Sequence, residues 1–403
     1  MTASSACRFP WMSDTTATRI GRAGTLLVLA GLWLAAAALL WRTRVPAQLP
    51  RSHVSVGDFF TPGELRRAAG HVRVLRLAGL GAFVLALGTL ALLALRPPRL
   101  RASLTGGVLG LALWLAAVPS AVVTQWWQRR YGISLQGWDA WTLAFLPSVL
   151  AWVAGGAIAG AVAVALARRT PRWWLGIAVL ATAAVGLYAL VNPLLGGAEP
   201  LRHPPPGLGG GRVEVDRVHD ETRAANAEAV GIGPTQRIVF WDTILRFPRA
   251  EVAVIAAHER AHLDRRHIPK GLAWTLLFLV PGLWLVGRTV RPDRAEVLPR
   301  AALAAALVAL VALPFANAIS RRYEREADWI ALERTRDPDA AANLFRDLAI
   351  SNALQPDPPW WAYVLFADHP TTKQRIELAE SLRATAASLA MPLSGRPLSR
   401  VAV

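Results

Sequence analysis

The sequence predicts an all-α integral membrane protein of about seven transmembrane helices, with a smaller extramembrane part that includes a short β-hairpin. Three observations carry this. Hydrophobic residues make up 54% of the 403-residue chain and charged residues only 18%, with a mean hydropathy of +0.34, which argues against a soluble protein. The apolar residues are gathered into blocks, and a helix of about 20 apolar residues crosses a hydrocarbon core. The formal charge of +17 is almost all arginine, with Lys270 and Lys373 the only lysines, and the arginines punctuate the apolar blocks. Arginines so placed meet anionic headgroups, so the lipid bilayer is the expected partner. No basic stripe interleaved with stacking aromatics is present, which excludes nucleic acid.

Taken in order, the first apolar stretch, 23–41, is longer than a signal-peptide core and is followed by Trp41-Arg42, so it is read as a retained anchor. Residues 42–74 form a loop with a short amphipathic helix opening at Thr61-Pro62, where threonine can cap and proline suits the first helical position. Further spans are predicted at 75–95, 103–123, 143–167, 173–195, 269–290 and 298–319. Gly106-x-x-x-Gly110 and Gly156-x-x-x-Gly160 allow the third and fourth spans to approach closely. Pro119, Pro147, Pro281 and Pro314 should kink their spans, and an internal cavity is one use of such kinks.

Residues 196–268 begin as a Pro/Gly-rich linker, His203-Pro-Pro-Pro-Gly207 and Gly209-Gly-Gly211, and become structured. Around Gly233-Pro234, Asn226-Ala-Glu-Ala-Val-Gly-Ile-Gly233 and Arg237-Ile-Val-Phe-Trp-Asp242 read as two short strands, either an ordinary hairpin or a sheet edge for an extended peptide. Residues 320–380 read as mostly helical, and the Ala/Ser/Pro/Arg-rich tail as disordered. The expected organisation is therefore a five-span region at 1–195, a second domain at 196–380 that includes spans six and seven, and a tail at 381–403.

Cys7 is the single cysteine, so any metal must be held by His, Asp or Glu. Residues 251–262 read Glu-Val-Ala-Val-Ile-Ala-Ala-His-Glu-Arg-Ala-His. On a helix His258 and His262 share one face and can bind a single zinc, while Glu259 can take a proton from zinc-bound water and pass it to a leaving amine. Alone, the pattern also fits two surface histidines. A third ligand decides the matter. The position ten after His258 is Ile268, which excludes the metzincin extension. Arg321-Arg-Tyr-Glu-Arg-Glu-Ala-Asp328 offers Glu324 as ligand and, one turn on, Asp328 to hold a ligand imidazole. Glu326 is assigned to a solvated face. Topology supports the pairing, because His262 precedes span six and Glu324 follows span seven, so two crossings return the chain to one face. In Phe366-Ala-Asp-His-Pro-Thr-Thr372, His369 is either a donor to an oxyanion or part of a capping loop.

At these residues the chain resembles the type I CAAX prenyl proteases, seven-span zinc endopeptidases of the membrane gluzincin group. The resemblance rests on Arg129-Arg-Tyr-Gly-Ile-Ser-Leu-Gln136, Asn226-Ala, Ile238-Val-Phe-Trp-Asp-Thr-Ile244, His258-Glu-Arg-Ala-His262 with His267 five further on, the Glu324–Asp328 string and His369-Pro370. It implies one zinc held by His258, His262 and Glu324, with Glu259 activating water. It also implies that Asn226 contacts the substrate backbone and His369 assists at the scissile carbonyl, and that Arg375 stands where the family often has an arginine near the site. The substrate would be a peptide or protein, membrane-associated ones included, cleaved beside a large intramembrane chamber. Arg260-Ala261 departs from the usual Leu-Gly-like pair but faces away from the metal. A quality-control peptidase of the HtpX type, with about half as many spans, and a non-catalytic zinc scaffold are the alternatives. A transporter is disfavoured, since the spans hold few ionisable groups. The resemblance implies a multi-pass protein of the cell membrane with a cytoplasmic catalytic face, whereas the arginines of the opposite loops point the other way.

Overall fold

The computed structural model describes residues 16–50, 52–205, 208 and 211–388. Part of the glycine-rich linker and residues 389–403 of the expected tail lie outside them. Two compact units divide between Arg42 and Thr43. The first contains α1 (Thr16–Leu40), whose described apolar part, Gly24–Leu40, covers the first predicted span.

In the second unit the apolar blocks become α2 (Pro62–Leu95), α3 (Ala102–Arg130), α4 (Trp138–Phe145) running into α5 (Ser148–Arg169), and α6 (Trp173–Leu195). They are joined by α8 (His267–Thr289) and α9 (Leu298–Thr335), which flank the last connection; α7 (Arg249–Asp264) precedes them. Among the described residues six helices are long and apolar enough to cross a membrane, and they fall on the six remaining predicted spans. Two details differ from expectation. The amphipathic helix at Thr61 and the span at 75–95 are one 34-residue helix, because Glu64-Leu-Arg-Arg-Ala-Ala69 runs without a breaker into the apolar block; Thr61 and Glu64 form a reciprocal cap at its start. Pro147 caps α5 and separates it from α4, whereas Pro119, Pro281 and Pro314 lie inside helices.

The glycine pairs act as read. A Cβ built on Gly106 would lie 2.1 Å from the Gly156 carbonyl oxygen, and one on Gly156 would lie 2.4 Å from the Gly106 oxygen. Backbone therefore packs on backbone between α3 and α5.

The extramembrane part is richer in strands than its sequence suggests. β1 (Glu199–Pro200), β2 (Arg212–Asp216), β3 (Ala227–Val230) and β4 (Arg237–Trp241) form one sheet in the order β1-β2-β4-β3. The expected hairpin is β3–β4, antiparallel with Ala227 opposite Phe240 and Ala229 opposite Ile238. Its turn needs glycine at 231 (φ +88°), where a Cβ would meet the Thr235 carbonyl oxygen at 2.3 Å. β2 runs parallel to β4, leaving β3 as an edge strand. Ile238, Phe240 and Ile244 are buried against α7 residues Val254, Ile255 and Ala256 and against Leu332 of α9. α10 (Pro338–Ser351), α11 (Trp360–Phe366) and α12 (Thr372–Ser388) complete the unit; Leu344 and Ile376 join the same core.

α9 is the element that links membrane and extramembrane parts. Its 38 residues extend about 57 Å, nearly twice a hydrocarbon core of about 30 Å. The apolar first half can span, and the second half continues as a helix packed on α7.

Candidate metal centre

α7 buries Val252, Val254, Ile255 and Ala256 against the sheet, and this fixes the rotation of its last two turns. His258 and Glu259 are buried and His262 is nearly so. Opposite them, α9 contributes Glu324, also buried. The Nε2 atoms of His258 and His262 are 3.0 Å apart. Glu324 Oε2 lies 3.3 Å from His258 Nε2, and its Oε1 lies 3.4 Å from His262 Nε2. Tetrahedral zinc with bonds of 2.0–2.1 Å requires donor–donor edges of about 3.3 Å. Glu324 Oε2 is buried without a hydrogen bond, as expected of an atom directed at a cation. The donor set and spacing therefore fit zinc.

Electrostatics agree. Burial pushes His262 down to about 3, against the pull of Glu324, so its ring is neutral and offers a lone pair. Burial also opposes charge on His258, but Asp328 and Glu324 outweigh it and hold the imidazole up to about 10; a metal dication in place of that proton satisfies the same carboxylates. Burial, reinforced by Glu324, pushes Glu259 up to about 7, with His258 and the Ala229 N–H pulling the other way.

Around this centre the structure gathers the other predicted residues to different degrees. Asp328 Oδ1 is 2.9 Å from His258 Nδ1, though off the straight line a hydrogen bond prefers. Arg375 of α12 grips Asp328 from behind, with Nε 2.9 Å from Oδ2 and a terminal nitrogen 2.6 Å from Oδ1. Glu259 Oε2 accepts a hydrogen bond from the Ala229 N–H of β3 at 2.8 Å, and its Oε1 is 4.0 Å from His258 Nε2. His369 Nε2 lies 3.2 Å from Glu324 Oε2. Burial works against its charge, but Asp368 and Glu324 outweigh it and raise its pKa above the usual imidazole value. Asn226 is exposed just before β3 and lines a cavity of about 430 Å³ together with His369 and Arg375.

A second cavity, of about 800 Å³, lies between α8 and α9. His262, His267, Tyr323 and Glu324 form its polar end, and Trp274, Phe278, Leu283 and a row of α9 alanines make the rest apolar.

One expectation needs correction. Glu326, assigned to a solvated face, is fully buried. It accepts hydrogen bonds from Arg265 Nε (2.8 Å) and the Arg44 N–H (2.8 Å), and it lies 3.1 Å from His267 Nε2. Its partners come from separate stretches of chain, so the local string Glu-Ala-Asp gives no sign of them. The one available signal is Arg265-Arg-His267, directly after the histidine motif.

The chain is similar to known proteins in both sequence and fold. Residues 212–383 match the family model for Peptidase family M48. The "Uncharacterized metalloprotease YhfN" of Bacillus subtilis (strain 168) is 30% identical over 245 residues, 53% of this chain and 57% of that protein, so the chain spans little more than half the length of that relative. The crystal structure of S. mikatae Ste24p shares the fold, with a TM-score of 0.64 over 87% of this chain and 96% of that one, at 16% identity. The stretch that carries His258, His262 and Glu324, a group that could hold one metal ion, thus lies within the match to the Peptidase family M48 model, in a chain that shares the fold of S. mikatae Ste24p.

Proposed function

We propose that the chain is a membrane-embedded zinc endopeptidase that hydrolyses peptide bonds in the manner of the CAAX prenyl proteases. The observation that carries the reading is the near-tetrahedral spacing of His258, His262 and Glu324 with the Glu259 carboxylate beside them. Bound zinc supplies Lewis-acid chemistry, polarising water and the scissile carbonyl.

The side chains divide the remaining work. Glu259 takes the proton of the attacking water and delivers it to the leaving amine. Asp328, itself held by Arg375, orients His258. His369 Nε2 donates to the carbonyl oxygen as negative charge develops there. The substrate adds to the outer edge of β3 as an extended strand, beside the Ala229 N–H that Glu259 holds, with Asn226 anchoring its backbone. The apolar cavity between α8 and α9 receives an apolar part of that substrate, which makes membrane-associated peptides the expected class. We place the protein in the cell membrane with the catalytic face cytoplasmic; a reporter fused beyond α12 tests that orientation.

The decisive variant is Glu259→Gln, which keeps size and hydrogen bonding but cannot accept the proton. Zinc content and peptide affinity should persist while cleavage falls by ~10²-fold or more. Cleavage at the parent rate would remove the proposed function.

A further inference from the structure

His258 is backed by a carboxylate, but His262 is not. Behind His262 stands His267, with the two Nδ1 atoms 3.0 Å apart. His267 Nε2 in turn lies 3.1 Å from Glu326 Oε2, and the other Glu326 oxygen is taken by Arg265 and the Arg44 N–H. The ring of His267 is buried and lies nearly parallel to Tyr323, 9° apart with centroids at 4.7 Å. The chain turns sharply to put it there, since Arg266 sits in the left-handed region (φ 55°) between α7 and α8. Every edge of His267 is thus specified, although it stands behind His262 rather than at the metal position and reaches the α8/α9 cavity only at its polar end.

We propose that His267 and Glu326 are positioning residues that set the tautomer of the metal ligand His262 by a relay of hydrogen bonds. To bind a metal through Nε2, His262 must carry its proton on Nδ1 and donate it. The acceptor facing that proton is His267 Nδ1, so His267 must be protonated on Nε2, where it donates to the Glu326 carboxylate. Both oxygens of Glu326 are then acceptors, which only a carboxylate can supply. Arg265 and the Arg44 N–H claim Oε1, so the direction of the relay cannot reverse while Glu326 is ionised. No proton is transferred; the relay fixes where each one rests.

This inference rests on His262 being a zinc ligand, and the test separates the two claims. Glu326→Gln is nearly isosteric. With its oxygen kept by Arg265 and Arg44, its amide NH₂ faces His267 Nε2, turns His267 into a donor toward His262, and places the His262 proton on the nitrogen needed by the metal. His267→Gln should preserve the relay, with its amide oxygen toward His262 and its NH₂ toward Glu326. His267→Leu fills the space without donor or acceptor. The full-length protein is purified in detergent, zinc affinity is measured by competition with a fluorescent chelator, and the cobalt-substituted protein is examined by visible absorption. Glu326→Gln and His267→Leu should each weaken zinc binding by ~10–100-fold and alter the cobalt bands, while His267→Gln stays within about threefold of the parent. Parent-like affinity in a folded Glu326→Gln, or equal losses in His267→Leu and His267→Gln, would overturn the relay. If one of the two weakening variants does not fold, the other, set against His267→Gln, decides the same question. A parent protein that binds no zinc would instead overturn the metal site.

Discussion

Asp328→Asn separates two roles that meet at one side chain. In the parent, Oδ1 faces both His258 Nδ1 (2.9 Å) and a terminal nitrogen of Arg375 (2.6 Å), while Oδ2 accepts from Arg375 Nε (2.9 Å). An asparagine can turn its amide two ways. With oxygen at the Oδ1 position, the approach to His258 is kept, but the NH₂ confronts Arg375 Nε, donor against donor. Turned over, the NH₂ confronts His258 and Arg375 together. The first arrangement has fewer conflicts, so the ligand histidine is largely spared and the arginine is not. Arg375 is then a buried charge that has lost its bidentate partner. Breaking such a pair costs about 3–5 kcal/mol, and the low end applies because Glu259 and Glu324 still attract the guanidinium and Phe345 lies beneath it at 4.1 Å. Zinc affinity should fall by only ~10-fold, the lower bound for loss of an outer partner. Thermal unfolding in detergent and chelator competition, on one preparation, measure the two effects. Full stability with a ~100-fold loss of zinc affinity would refute this division, since it would make Asp328 a partner of His258 rather than of Arg375.

Glu251 gives a pH prediction away from the metal. It is buried with Oε2 unpartnered, and burial, with Asp347 adding and Arg346 opposing, pushes it from 4.5 up to about 7. A raised carboxyl contributes stability that is complete below about pH 4.5 and is lost as pH rises through about 7. Glu251→Gln should therefore be as stable as the parent near pH 4.5 and more stable at pH 8, by at most ~3 kcal/mol; equal unfolding profiles across that range would refute it. In the membrane region, Gly106→Ala must move its new methyl about 1 Å off the Gly156 carbonyl, parting α3 from α5 at a cost of about 1–3 kcal/mol. Gly155→Ala, where a Cβ meets nothing within 4 Å, should be neutral in the same melting assay.

The features that can be read from sequence share a property: each is written within one or two turns of helix. His258, Glu259 and His262 fall on one face by spacing alone, and Glu324 with Asp328 repeats the logic on α9. The parity of two spans between them needs only hydropathy. What cannot be read depends on partners distant in sequence. Glu326 reads as solvent-facing until Arg44, Arg265 and His267 are brought to it. Arg375 shows no role of its own until α12 lays it on Asp328. β2 is illegible because Arg212-Val-Glu-Val-Asp216 is short, charged and next to glycines, and because its parallel pairing with β4 is a long-range contact.

α9 has a further consequence as a mechanical object. Glu324 and Asp328 are not on a loop tied to the membrane but on the same helix that crosses it, beyond Pro314. From the middle of the apolar half to Glu324 the helix measures about 24 Å. A change in tilt of only ~2° swings the glutamate by about 0.8 Å, more than the ~0.5 Å within which a catalytic constellation must be held. Tilt responds to the match between helix length and bilayer thickness. The thickness of the surrounding lipid is thereby an input to the coordination geometry, and the packing of α7 against α9 is what resists it.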